Sequence, residues 1–164
     1  MIMTGRIIVL SLCILLGLSS VSAQQSARKV ELKPVLEIQY LLDQIEEEYR
    51  VDRSRVWVAG LSRGGYGAWR MAIQYPERFA ALVAVCGETP DHYAAWLGDM
   101  PIWVFHGEDD RTISVKESDE MVAALRKNGN PVRYTKYPNT GHNAWDQAFS
   151  DPELYTWLMA QKKK

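Results

Sequence analysis

Apolar residues recur along the chain in two alternating rhythms. Val35, Ile38, Leu41, Leu42, Ile45 and Tyr49 follow helical spacing after Pro34, and so predict a helix with one apolar face. Proline suits the first turn of that helix, where its missing N–H costs nothing. Residues 55–59, Arg-Val-Trp-Val-Ala, form a short β-rich run that ends at Gly60. A second helical pattern carries Ala68, Met71, Ala72 and Tyr75 on one face and stops at Pro76. Residues 79–86 are nearly all apolar and stop at Gly87, and residues 101–105 are a third such run, ending in His106-Gly107. Ser114 and Glu117 read as a capping box for a helix through Met121, Val122 and Leu125, and Asn128-Gly129 is its stop signal. Residues 131–137 are a fourth strand. Asp151-Pro152-Glu153 opens a last helix with Leu154, Trp157 and Leu158 on its face. Residues 88–100, with Pro90, His92, Tyr93 and Trp96, are the least regular stretch.

Continuous apolar strands that alternate with amphipathic helices predict an α/β fold: about four parallel strands with helices on both faces. A composition of 47% hydrophobic and 24% charged residues supports a packed globule over disorder. A net charge of −1 removes the electrostatic case for nucleic acid or an anionic membrane as main partner.

The first residues follow a different plan. One positive charge in residues 1–6, an apolar run over residues 7–18 and a small-residue end at Val21-Ser22-Ala23 match a secretory signal peptide with cleavage after Ala23. The run is short for a membrane span, which needs about 20 residues; a retained anchor is the alternative. The expected organisation is a signal peptide at 1–23, a polar linker at 24–33 and the folded part at 34–164. Secreted or periplasmic localisation follows, with no membrane association after cleavage. Cleavage removes Arg6 and Cys13, which takes the net charge to −2 and leaves Cys86 without a disulfide partner.

Gly60-Leu61-Ser62-Arg63-Gly64 fits G-x-S-x-G at the point where a strand ends and a helix begins. That turn exposes a serine oxygen, and Gly60 and Gly64 avoid clashes within it. Gly65 and Gly67 are expected to let the helix pack close to the sheet. The competing view is an ordinary glycine-rich turn with a capping serine. A serine hydroxyl is a weak nucleophile and needs a base that a third group orients. Three histidines are available. His106 ends the third strand and reads as structural; His92 lies in the irregular loop and reads as exposed. His142 follows the fourth strand, at the sheet edge where Ser62 emerges, and is the expected base. The loop Glu108-Asp109-Asp110 supplies the acid. Consecutive acids cannot all face one ion, so no metal is expected.

With these residues in view, the chain resembles the α/β-hydrolase superfamily. It is similar to the secreted esterase and predicted-peptidase branch near dienelactone hydrolases and prolyl-oligopeptidase-like proteins. The resemblance rests on residues 56–69 around Ser62, Tyr75 to Ala81, Val104 to Asp110 and Tyr137 to Trp145, and spans about Pro34 to Gln161. The pattern His-Gly-x-x-Asp implies Asp110 as the acid, Gly-His implies His142 as the base, and the elbow implies Ser62 as the nucleophile. The backbone N–H of Arg63 would serve the oxyanion hole, at a position where the family usually has methionine or another apolar residue. The family sheet normally has eight strands, so the resemblance implies that the N-terminal strands are missing and that this is the C-terminal catalytic half. The loop donating the second oxyanion N–H would be missing with them. The strand at 55–59 would then be an apolar edge open to self-association.

The implied function is a serine hydrolase of carboxylic esters that needs no cofactor and takes a small-molecule ester. A peptidase of the same fold is one alternative, and a truncated, non-catalytic remnant or binding module is another. Trp96 and Trp145, in loops near the carboxyl edge, are candidate walls of a substrate pocket, with packing as the other role. Trp69, on the helix after the elbow, reads as core.

Overall fold

The computed structural model describes residues 33–163. The expected signal peptide and nearly all of the linker lie outside them. The elements run α1 (Lys33–Glu48), β1 (Trp57–Leu61), α2 (Arg63–Gln74), β2 (Ala81–Val85), β3 (Ile102–Gly107), α3 (Val115–Lys127), β4 (Arg133–Tyr137), α4 (Trp145–Ser150) and α5 (Pro152–Ala160). Short 3-10 turns cover Arg53–Arg55, Pro76–Arg78 and Asp91–Leu97. No helix among the described residues is long and apolar enough to cross a membrane.

The four strands form one sheet in the order β1-β2-β3-β4, parallel throughout. β2 and β3 are buried at every residue, which is why both read as unbroken apolar runs. Their side chains still alternate between two faces. Leu82, Ala84, Ile102 and Val104 pack with Trp69, Met71, Met121 and Leu125 from α2 and α3. Ala81, Val83, Val85, Trp103 and Phe105 pack with Ala148, Leu154 and Leu158 from α4 and α5. Trp69 is a core residue, as expected.

Among the described residues β1 pairs with β2 alone, and four of its five residues are half-buried. The covering of this side is incomplete. Of the apolar face expected on α1, Leu42 is fully buried, whereas Leu41 stays 42% exposed and Tyr49, just past the helix end, 57%. The spacing is helical, but only the middle of the face is buried, where Leu42 joins the core cluster that holds Trp69 and Met71.

Two further elements differ from the expectation. The irregular stretch contains a 3-10 helix at Asp91–Leu97, and a short helix, α4, occupies residues otherwise read as loop. α4 has no side-chain cap at Ala144, so nothing local announces it; Ala148 is held by the second face of the sheet. Caps behave as predicted at α5, where Asp151 accepts from the Glu153 N–H at 2.8 Å. At α3 the capping serine is Ser114, but its hydroxyl accepts from Lys116.

Candidate active site

Parallel strands carry their following loops to one edge, and three such loops meet here. Ser62 lies between β1 and α2 with φ 51° and ψ −123°, a left-handed conformation that an L-residue adopts only when its surroundings compel it. The compulsion is visible. The Ser62 N–H donates to the Val85 carbonyl at 2.8 Å, and a Cβ on Gly60 would lie 2.0 Å from the Gly64 carbonyl oxygen. Gly65 likewise packs against Gly87, where its Cβ would sit 2.9 Å from the Gly87 Cα. Gly67 does not share this role, since a Cβ there meets nothing within 4 Å.

Ser62 is the N-cap residue of α2, but its hydroxyl makes no capping hydrogen bond. Its Oγ lies 2.8 Å from His142 Nε2, and His142 Nδ1 lies 2.7 Å from Asp110 Oδ2. A carboxylate only accepts, so Nδ1 carries the hydrogen and Nε2 accepts from the Ser62 hydroxyl. Arg63 is the first residue of α2, where a backbone N–H has no acceptor within the helix and points from its positive end.

Asp110 is buried. Burial pushes its carboxyl up. The hydrogen bond from His142 and the backbone N–H groups of Ile113 and Thr112, at 3.0 and 2.8 Å on Oδ1, overcome that and leave it below the ordinary carboxylate range. A depressed carboxylate contributes stability that is complete above its unfolded value, about pH 3.9, and is lost as pH falls through the folded value. The stability of Asp110→Asn is therefore expected to fall less steeply than wild type below about pH 4. Thermal midpoints at neutral pH and near pH 3 check this, and parallel losses in both proteins would contradict it.

The His142 loop is braced from within. Asn139 takes a left-handed φ of 53°, the Thr140 hydroxyl donates to the Pro138 carbonyl, and Gln147 of α4 donates to Thr140 Oγ1 at 2.9 Å. Trp145 lies edge-on to the His142 ring, with centroids 5.3 Å apart. The two candidate pocket tryptophans thus part company: Trp145 buttresses the histidine, whereas Trp96 is 64% exposed and packs against Tyr93. A cleft of about 510 Å³ opens beside the elbow between Tyr66, Arg70, Thr89 and Tyr93, and neither tryptophan lines it.

Cys86 and His106 complete the surroundings of Asp110. Both are fully buried, and with Asp110 their donor atoms lie within 4.8 Å of one another. Three metal-binding residue types meet there, but both Asp110 oxygens and both His106 nitrogens have hydrogen-bond or ion-pair partners within the protein. Burial pushes the Cys86 thiol up to about 11. Neither residue stood out as part of the site in the sequence. The available signal was the i,i+4 spacing of His106 and Asp110.

A model of the phospholipase/carboxylesterase family matches residues 16–158. The crystal structure of a thermostable esterase superposes with a TM-score of 0.78 at 34% identity, covering 80% of this chain and 37% of that one. SOBER1 of Arabidopsis thaliana, at 21% identity and a TM-score of 0.65, shows the shared fold. Among curated proteins, the bifunctional acetylxylan esterase/xylanase XynS20E of Neocallimastix patriciarum is 25% identical over 126 residues, which is 73% of this chain and 17% of that protein. The acylamino-acid-releasing enzyme of Rattus norvegicus is 25% identical over 148 residues, 66% of this chain and 20% of the enzyme. The chain thus spans about a fifth of the length of these two curated relatives. A four-stranded parallel sheet with these loops at its carboxyl edge, and a family match over most of the sequence, make this chain a member of the phospholipase/carboxylesterase family of α/β hydrolases.

Proposed function

We propose that the chain is a serine hydrolase of carboxylic esters, with Ser62 as nucleophile, His142 as base and Asp110 as the group that orients the base. The carrying observation is the hydrogen-bonded row Ser62–His142–Asp110, whose links measure 2.8 and 2.7 Å, on a serine held in a left-handed turn. In this mechanism Ser62 Oγ bonds to the ester carbonyl carbon while its proton passes to His142 Nε2. Asp110 keeps its charge and stabilises the imidazolium. The carbonyl oxygen becomes an oxyanion that accepts from the Arg63 N–H. Collapse breaks the bond to the alcohol, which leaves with the proton from Nε2. Water then attacks the acyl carbon and gives its proton to the same nitrogen; the bond to Ser62 Oγ breaks, Oγ takes that proton back, and the acid leaves. The esterase relatives support the ester substrate, while the acylamino-acid-releasing relatives keep amide cleavage as a second reading.

A fluorophosphonate probe tests the site directly. Its phosphorus forms a bond to an activated serine oxygen and fluoride leaves. The probe is expected to mark Ser62 in the wild-type chain and leave Ser62→Ala unmarked. Mass-spectrometric peptide mapping that finds Ser62 unmodified in folded wild-type protein would overturn the proposal.

A further inference from the structure

We infer that His106 is a positioning residue for Asp110: it lies beside the acid and bonds the Ile113 carbonyl, and so fixes the turn whose Ile113 N–H holds Asp110 Oδ1. The inference rests on the role of Asp110 proposed above. Asp110 Oδ1 is held by the N–H groups of Thr112 and Ile113. Its other oxygen, Oδ2, lies between two rings: His142 Nδ1 at 2.7 Å and His106 Nε2 at 3.2 Å.

The hydrogen on His106 can be assigned from its neighbours. Nε2 faces the Ile113 carbonyl at 3.0 Å and the Asp110 carboxylate, and both only accept. Nε2 therefore carries the hydrogen and donates it to the Ile113 carbonyl, with Asp110 Oδ2 beside it at ion-pair distance. Nδ1 lies 2.7 Å from the Ser118 hydroxyl of α3. With the ring neutral, Ser118 donates to Nδ1 and so holds the Nε2–H form. A neutral ring matters for the chemistry. In that form the Nε2–H bonds the Ile113 carbonyl at 3.0 Å, lies 3.2 Å from Asp110 Oδ2, and adds no positive charge beside the acid. His106 and Ser118 are both buried, so water does not replace the donor.

The chain of contact runs from α3 through Ser118, His106 and Asp110 to His142. The base is thereby tied to the core of the sheet as well as to its own loop. His106 touches neither the reacting serine nor the cleft beside the elbow, so its effect should fall on the chemical step and not on substrate affinity.

The test compares the full chain with His106→Leu, His106→Gln and Ser118→Ala, using ester turnover and fluorophosphonate labelling rate. His106→Leu removes the donor at similar volume and is expected to lower kcat about tenfold, with KM within roughly twofold. His106→Gln keeps an amide N–H near the Nε2 position and is expected to restore kcat to within about threefold of wild type. Ser118→Ala lies two contacts from Asp110 and is expected to lower kcat about threefold, again at unchanged KM. Full kcat in folded His106→Leu would overturn the inference, and so would equal losses in the leucine and glutamine variants. Should His106→Leu fail to fold, unchanged kcat in Ser118→Ala overturns it alone. The two proposals fail separately. A wild-type chain that does not label at Ser62 removes both, whereas normal labelling of wild type and His106→Leu alike removes only the role of His106.

Discussion

Ser62→Ala is expected to reduce hydrolysis of a short-chain aryl ester by about 10³-fold or more while leaving the thermal midpoint close to that of wild type. The size follows from what the substitution deletes. In the proposed mechanism the Oγ is the atom that bonds to the carbonyl carbon, and among the described residues no other hydroxyl bonds His142 Nε2. Without it, His142 and Asp110 still form their 2.7 Å hydrogen bond but have no serine proton to take. What persists is the oxyanion contribution and substrate binding. The stability side is equally specific. The left-handed Ser62 suits alanine no better and no worse than serine, since both carry a Cβ, and the hydroxyl caps nothing. Equal turnover in the two proteins would contradict the proposed nucleophile.

A large stability loss is expected at Gly107. A Cβ there would lie 2.2 Å from the Gly141 carbonyl oxygen and 2.3 Å from that of Thr140. Both obstacles are backbone, so no side chain can swing aside. The loops concerned carry Asp110 and His142. They are stitched together by the Glu108 N–H to Tyr137 carbonyl bond at 3.0 Å and the Asp109 N–H to Thr140 carbonyl bond at 2.9 Å. Gly107→Ala must break this seam or displace it. We expect a loss of about 3 kcal/mol or more, near 10 °C in the thermal midpoint, together with loss of labelling at Ser62. Gly67→Ala is the matched control. A Cβ there meets nothing within 4 Å, and the position lies inside α2. Alanine is the better helix former, so this variant should be unchanged or more stable by up to about 1 kcal/mol. Similar midpoints for the two variants would refute the steric account.

These two glycines show where local pattern stops being informative. In the sequence Gly107 is the end of a strand and Gly67 is part of a glycine-rich elbow, and the elbow makes Gly67 look the more constrained. The structure reverses this order, because the constraint on Gly107 comes from residues 140 and 141, more than thirty positions away. His106 is a similar case. Its place at the end of a buried strand was legible, but its partners Ile113 and Ser118 depend on how α3 returns across the sheet. The helix α4 went unseen because it lacks a cap and is six residues long, too short for a periodic signal.

The order of amino acids determined by itself the alternation of strands and helices and the parallel sheet, and it singled out Ser62 and His142; among three neighbouring carboxylates Asp110 was implied by the family resemblance. Those are properties of runs and spacings: an unbroken apolar strand is buried on both faces, and a glycine-flanked serine after such a strand sits on a sharp turn. Tertiary structure alone decided the distances among the three residues, the place of His106 against Asp110, and the separate places of Trp145 and Trp96. Each of those depends on loops brought together by strand pairing, and contacts across a parallel sheet leave no period in the chain for a sequence pattern to record.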